Sequence, residues 1–199
     1  YILAYNETVR RGAYDYFTWL GNDTTSAEDV RQLLGFTGTT NYIAIWNAST
    51  WSTSFWLWEL YRGDTTGNNF TVNTGDVIRT YIAGVSPIDF TMYRGVTSIY
   101  PTSTQTLVRT STPNNRGYNY ISLYWNYTDE GITLYDIATE AGMQTDEVLS
   151  WFNRDTYIWE GYIVGRTPIS SLDDLTNRPV IEAKVSANRN LDIYFNWRV

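Results

Sequence analysis

With no histidine or cysteine, the catalytic chemistry left open to this chain is chiefly that of carboxylates. Its 199 residues include no histidine and no cysteine. That composition rules out thiol nucleophiles, histidine-based catalytic triads, disulfides and Cys/His zinc centres. Eight of the acids fall in four adjacent pairs: Glu28-Asp29, Asp129-Glu130, Asp146-Glu147 and Asp173-Asp174. A glycosidase needs two carboxyl groups facing each other across a sugar, and neighbours on a strand point to opposite faces. None of the pairs is such a dyad by itself. Glu28 and Asp29 open a predicted helix, where the dipole favours acids without any further role. The expectation is a protein that is not an enzyme and has no cofactor. Calcium is the one ion with candidate ligands, the hard oxygens of Asp173, Asp174 and Asn177, although no EF-hand spacing is present.

The remaining chemistry is recognition. Nine tryptophans and seventeen tyrosines bury large areas, and their N–H and O–H groups call for partners. Trp51 leads into Phe55-Trp56-Leu57-Trp58, a predicted strand with Trp56 and Trp58 on one face and Phe55 and Leu57 on the other. Both faces are apolar, so Trp51, Trp56 and Trp58 read first as core and subunit interface, and second as a glycan-stacking platform. Five Asn-x-Ser/Thr sequons stand at Asn6, Asn22, Asn47, Asn69 and Asn126, in or beside predicted turns that suit covalent glycans. Arg62-Gly63-Asp64 matches an adhesion tripeptide but sits among turn residues and reads as a turn.

Twenty-one acids against fourteen bases leave a net charge of −7, and Lys184 is the single lysine. Without clustered positive charge the chain offers no support for nucleic-acid binding. No run approaches the roughly 18 apolar residues of a membrane-spanning helix, so membrane insertion is not expected.

The elements that position these residues come in two sets. Arg11-Gly12 opens the aromatic run Tyr14 to Leu20, and Arg116-Gly117 opens Tyr118 to Trp125. Each pattern reads as a turn feeding a strand. Arg116 stands 105 residues after Arg11, and Trp151 stands 105 after Trp46. Such an offset is the mark of a duplicated unit. In each copy a short helix follows: Ser26 with Asp29, ending at Gly35, and Thr133 heading Leu134, Ile137, Ala138 and Ala141, ending at Gly142. A strand, a turn and a closing hairpin are expected beyond it: Phe70 to Val72 with Val77 to Ile82 in the first copy, and Val180 to Val185 with Leu191 to Trp197 in the second. Gly84-Val85-Ser86-Pro87 is read as the boundary. The expected fold is therefore mainly β with minor helix: two tandem similar modules, residues 1–84 and 85–199, each a small mixed or antiparallel sheet with one short helix.

The strand Gly117-Tyr118-Asn119-Tyr120-Ile121-Ser122-Leu123, with Trp46-Asn47-Ala48-Ser49-Thr50-Trp51 and Trp151-Phe152-Asn153-Arg154-Asp155-Thr156-Tyr157, resembles the tandem β-rich modules of secreted archaeal and bacterial cell-surface proteins of the surface-layer or sheath type. The first copy departs from that pattern at Ala13, Asp15 and Thr18-Trp19. The resemblance implies an extracellular, non-enzymatic structural protein that assembles with itself into a layer, sheath or filament. The other reading is a carbohydrate-binding module using its tryptophans. A narrower resemblance, to the LysM glycan-binding motif, covers Gly131 to Ala138 with Gly142, Leu149 and Asn153. The terminal strands, Tyr1 to Tyr5 and Leu191 to Trp197, lack Lys and Pro, the usual guards of an exposed edge, and at least one of them is expected to contribute to contacts between subunits, by sheet extension or by packing.

Overall fold

The computed structural model describes residues 2–38, 40–46, 58–63, 67–95, 103–107, 118–122, 132–168, 175 and 180–193. The chain divides into two compact units, Tyr1–Thr97 and Ser98–Val199. Both are mainly antiparallel β with one seven-residue helix.

In the first unit the strands are β1 (Ile2–Val9), β2 (Tyr14–Thr18), the short β3 (Thr25–Ser26), then helix α1 (Ala27–Leu33), β4 (Tyr42–Trp46), β5 (Trp58–Tyr61), the short β6 (Thr71–Val72), β7 (Val77–Tyr81) and β8 (Ile88–Gly95). Four of them form a sheet in the order β2-β7-β4-β5. Residues directly across the ladder include Phe17, Ile78, Ile45 and Glu59. Alternation puts Phe17, Ile43, Ile45, Ile78 and Tyr61 on one face, and all five are buried. Helix α1 lies against β4 with Ala27 and Val30 buried. Its start is fixed by a reciprocal cap: Ser26 Oγ accepts from the Asp29 N–H (3.1 Å), and the Asp29 carboxylate accepts from the Ser26 N–H (3.2 Å). Its end is fixed by Gly35 at φ 64°, a left-handed conformation that glycine reaches without Cβ strain. Both limits are as expected from the sequence.

The Arg-Gly opener is a clip. The Gly12 N–H donates to Ile82 O (2.8 Å) and Arg11 Nε donates to Ala83 O (2.8 Å), tying the start of β2 to the end of β7. Strands β1 and β8 form a separate two-stranded ribbon, paired from Ile2 with Gly95 to Val9 with Ile88. Its inner face joins the core through Phe90, whose ring meets Phe17 edge-on at 5.4 Å, and through Met92, whose Sδ accepts from the Leu20 N–H (3.3 Å).

The second unit contains β9 (Ser103–Leu107), β10 (Tyr118–Ser122), α2 (Leu134–Glu140), β11 (Val148–Asn153), β12 (Ile158–Ile163), β13 (Val180–Lys184) and β14 (Arg189–Ile193). Its sheet order is β10-β13-β11-β12, and β14 pairs with β9. Thr133 and Asp136 repeat the reciprocal cap, and Gly142 at φ 59° repeats the stop. Ile121, Leu134, Ile137, Leu149, Trp151, Tyr162, Leu175 and Ile181 belong to its core.

The two units follow one pairing diagram. In each, the first long strand pairs with the last, the second with the penultimate, the penultimate with the strand after the helix, and that strand with its successor. Several expectations are corrected by it. The strand Ile88–Gly95, read as opening the second module, is the partner of Ile2–Val9 in the first, so the division falls after residue 97 rather than 84. Gly84 to Ser86 is a turn inside a unit, and turn and linker share one composition. The expected closing hairpins do not form: β6 pairs with β3 and not with β7, and β13 and β14 lie in different sheets. The turn at Asn73 to Asp76 is nevertheless real, with the Asp76 N–H on Asn73 O (3.0 Å) and Gly75 at φ 94°. Both terminal strands pair within their own units.

The ladders also correct the tryptophan match. Ile45 faces Ile78, and Trp151 faces Ile181; Trp46 faces Trp58, and Phe152 faces Trp159. Trp46 therefore corresponds to Phe152, not to Trp151. A one-residue slip puts a side chain on the opposite face, and Trp151 accordingly is buried in the helix-side core.

Ile78 and Ile181 occupy the same place in the two sheets, and both are fully buried. Truncating either to alanine should lower stability by about 2–5 kcal/mol. The control Val85→Ala, at a residue 96% exposed, should change it by less than about 0.5 kcal/mol. Chemical denaturation followed by tryptophan fluorescence checks both.

Candidate functional site: two aromatic sheet faces

The face of the first sheet turned away from α1 is tiled with rings. Tyr14, Tyr81 and Tyr42 stand directly across β2, β7 and β4. Tyr14 and Tyr81 are 5.5 Å apart, and Tyr42 and Tyr81 lie near-parallel at 6.2 Å. One row along come Tyr16, Arg79, Ala44 and Leu60, and beyond them the pair Trp46 and Trp58, edge-on at 6.0 Å.

Arg79 sits at the centre. Its guanidinium lies 4.5 Å from the Trp58 ring centre, 5.6 Å from Tyr14 and 5.8 Å from Tyr42. Each such contact stabilises a cation by about 0.5–2 kcal/mol. Arg79 Nε is buried without a hydrogen-bond partner, while the residue as a whole keeps partial exposure. A second cation, Arg62, lies 5.6 Å from the Tyr42 ring. Strand alternation places no acid on this face among the described residues of β2, β4, β5 and β7. Burial holds the Tyr42 hydroxyl above the ordinary phenol range, its hydrogen bond with Tyr14 adds to that, and the charge of Arg79 opposes it.

The matching face of the second sheet carries the opposite charge at the same point. Tyr16, Arg79, Ala44 and Leu60 correspond in register to Tyr120, Glu182, Ser150 and Gly161. Phe152 and Trp159, 5.2 Å apart, stand where Trp46 and Trp58 stand, and Tyr120 meets Trp159 edge-on at 6.1 Å. Burial pushes the Glu182 carboxyl up from its ordinary value, and hydrogen bonds with Tyr120 and Ser150 work against that rise. Lys184, two residues along the same strand, is exposed.

The residues singled out in the sequence are only partly found here. Trp58 is 8% exposed and has Arg79 over its ring, so it is an element of the cage rather than a bare sugar platform. Trp51, Trp56, Asn47 and Asn126 lie outside the described residues, as do Asp64, Asp129-Glu130 and the calcium candidates Asp173, Asp174 and Asn177. The described acidic pairs are committed to structure. Asp29 caps α1, and Glu28 is pulled down to about 2 by Arg31, then Gln32 and Tyr61, which all hydrogen bond to its carboxylate. Asp146 is held by Arg166. Glu147 accepts from the Gln144 N–H (2.8 Å) and the Ser186 N–H (2.6 Å). In the LysM-like window, Thr133 is a helix cap and Leu149 a core residue, while Asn153 Oδ1 accepts from the Asp155 N–H (2.9 Å) in a turn. Among the described residues no three acids gather as a metal site, and no helix is long and apolar enough to cross a membrane.

Asn6, Asn22 and Asn69 are exposed. Their Oδ1 atoms accept from Thr91 Oγ1 (2.9 Å), the Gly95 N–H (3.0 Å) and the Glu28 N–H (2.9 Å). Among the described residues the Nδ2 groups, where an N-glycan attaches, make no hydrogen bond. Asn6 also borders a polar hollow of about 430 Å³ lined by Glu7, Thr8, Asp89, Phe90 and Thr91.

Sequence reasoning passed over Arg79 and Glu182. The signal was present: Val77-Ile78-Arg79-Thr80 and Val180-Ile181-Glu182-Ala183 are apolar strands with one charge each at the third position. Comparison of the chain with protein-family models, with curated proteins and with solved structures returned no match. The class defined by the coordinates is a mainly β chain of two antiparallel units.

Because its folded-state value is raised, Glu182 contributes most to stability below its ordinary value of 4.5 and loses that contribution as pH rises through the folded value. Glu182→Gln should therefore melt at or above the parent temperature at pH 7, with the difference closing below about pH 4.5. Melting curves across pH 3–8 check it. Separately, peptide mass spectrometry of native material should find hexose-bearing glycans on Asn6, Asn22 and Asn69.

Proposed function

We propose that this chain is a non-enzymatic structural protein of an extracellular surface. Its two units descend from one duplicated module, and copies of the chain assemble with one another into a layer, sheath or filament. The observation that carries this reading is the β1–β8 ribbon. Its strands are eight residues long, and among the described residues β8 forms a ladder with β1 alone, which leaves its other edge without a strand. Such an edge is a template for another chain, and soluble monomers blunt it with Lys or Pro. Neither β1 nor β8 contains one. The outer face of the ribbon presents Ile2 at 74% and Tyr93 at 60% exposure. Addition of a neighbour's strand would supply main-chain hydrogen bonds, with alternate side chains setting register. Sugars on Asn6, Asn22 and Asn69 would suit an extracellular surface.

The second reading, a carbohydrate-binding module, draws on the aromatic face of the first sheet, where Tyr14 is 53% exposed. Negative-stain microscopy and sedimentation of the purified chain separate the two. Ordered polymers are expected; a monodisperse monomer that binds a glycan array would favour the second reading. The double variant Ile2→Lys, Tyr93→Lys should lower the polymerised fraction while leaving the melting temperature within about 2 °C, because both side chains are exposed.

A further inference from the structure

We infer that the outer edge of β8 is a joint between two copies: β8 of one chain pairs antiparallel with β8 of a second, about a two-fold axis at Thr91. This rests on the self-assembly reading and names the strand and register of its contact.

Hydrogen bonds inside the ribbon show which main-chain groups point out of it. The Gly95 N–H donates to Asn22 Oδ1 (3.0 Å) and the Thr8 N–H to Glu7 Oε1 (3.1 Å), although Ile2 and Asp89 stand across the ladder from them. Those rungs are therefore the non-hydrogen-bonded pairs of the antiparallel ladder. By alternation the N–H and C=O groups of Asp89, Thr91 and Tyr93 point away from β1, as those of Gly95 do. Among the described residues no strand meets them. The outer edge of β1 is less open, since the Glu7 carboxylate already takes the Thr8 N–H there.

The ends of this stretch fix the register. Pro87, next in the same alternation, has no N–H to donate. At the other end the Gly95 N–H is occupied by Asn22. Thr91 lies midway between them. A ladder centred on Thr91 pairs Asp89 with Tyr93 of the second copy, Thr91 with Thr91, and Tyr93 with Asp89, each rung exchanging both main-chain bonds. Sliding the axis by one residue either way brings Pro87 or Gly95 into a rung and forfeits a bond at both ends of the ladder.

The side chains fit the same arrangement. Thr91 faces Thr91 across the axis, a favourable cross-strand pair. Tyr93, 60% exposed, is covered beside Asp89 of the other copy. The charges of β8, Asp89 and Arg94, stand near its two ends. Antiparallel pairing sets the acid of each copy beside the base of the other, whereas parallel pairing in register would set like charges together. The occupant that matches this edge in hydrogen bonding and in charge is thus a second β8. The contact is isologous and closes on two copies, so a layer, sheath or filament grows from this dimer through a second contact elsewhere on the chain.

The test uses the full chain. It has no native cysteine, so a single introduced thiol can form only intermolecular disulfides. Opposed Cα atoms in a hydrogen-bonded rung are about 5.5 Å apart, within disulfide reach. Under mild oxidation Thr91→Cys should reach the covalent dimer at least tenfold faster than Ile2→Cys, which is exposed but lies one strand away from the joint. Asp89→Cys and Tyr93→Cys should each cross-link slowly alone and rapidly when mixed. Thr91→Lys sets two ammonium groups against each other, and in sedimentation velocity it should lose at least tenfold in dimer while its melting curve shows the fold retained. Equal rates for Thr91→Cys and Ile2→Cys overturn the joint, and rapid cross-linking of Asp89→Cys by itself overturns the axis at Thr91. Association of the parent that folded Thr91→Lys leaves unchanged places the contact elsewhere while self-assembly stands. A parent chain that stays monomeric at every concentration overturns the self-assembly reading itself.

Discussion

The register of the penultimate strand in each unit is the constraint on which the rest depends. Val77–Tyr81 and Val180–Lys184 lie between two partners each, and alternation along them sends Ile78 and Ile181 into the core and Arg79 and Glu182 to the other side. A slip of one residue would place a charge under the helix and an isoleucine among the rings. Burying an unpaired guanidinium or carboxylate costs several kcal/mol, so the slipped register is strongly disfavoured. The ladder thus sets both the stability of the core and the chemistry of the outer face.

The surrounding devices defend that register. The clip of Arg11 and Gly12 onto Ile82 and Ala83 pins one end of β7 to β2. Asn41 closes the same end through Oδ1, which accepts from the Ala83 N–H (2.7 Å). At the other end of β7, the Asn73 to Asp76 turn is doubly closed: the Asn73 N–H also donates to Asp76 Oδ2 (2.7 Å). The helices are short enough that their caps matter; two turns bury only one stripe, and a reciprocal Ser/Thr–Asp cap satisfies donors that would otherwise be lost. Caps of this kind are worth about 1 kcal/mol.

With the register in place, the sheet faces away from the helices acquire a definite chemistry. The first collects Tyr14, Tyr16, Tyr42, Tyr81, Trp46 and Trp58 around a cation, and the second Tyr120, Phe152 and Trp159 around an acid. On the first face no acid stands among the described residues of β2, β4, β5 and β7, and ring faces hold the guanidinium.

Local features were legible in the sequence. The mainly β class, the Ser26 and Thr133 caps, the Gly35 and Gly142 stops and the turn at Asn73 to Asp76 each depend on a few neighbouring residues, whose conformational preferences are local. Which strands pair was not legible. Val72 to Val77 reads as a hairpin because its turn chemistry is right, yet β6 and β7 diverge into different sheets once β3 and β2 compete for them. The strand after Pro87 reads as the start of a unit because turn and linker look alike, and only its eight-residue ladder with β1 reveals that it closes one. The match of Trp46 with Trp151 failed by one residue because a constant offset ignores the insertions that hydrogen-bond register resolves. Residue types and local turns were thus determined by the sequence itself, whereas strand partners, and through them the placing of Arg79 and Glu182 at one equivalent point, were decided by tertiary structure, since pairing is a competition among distant segments.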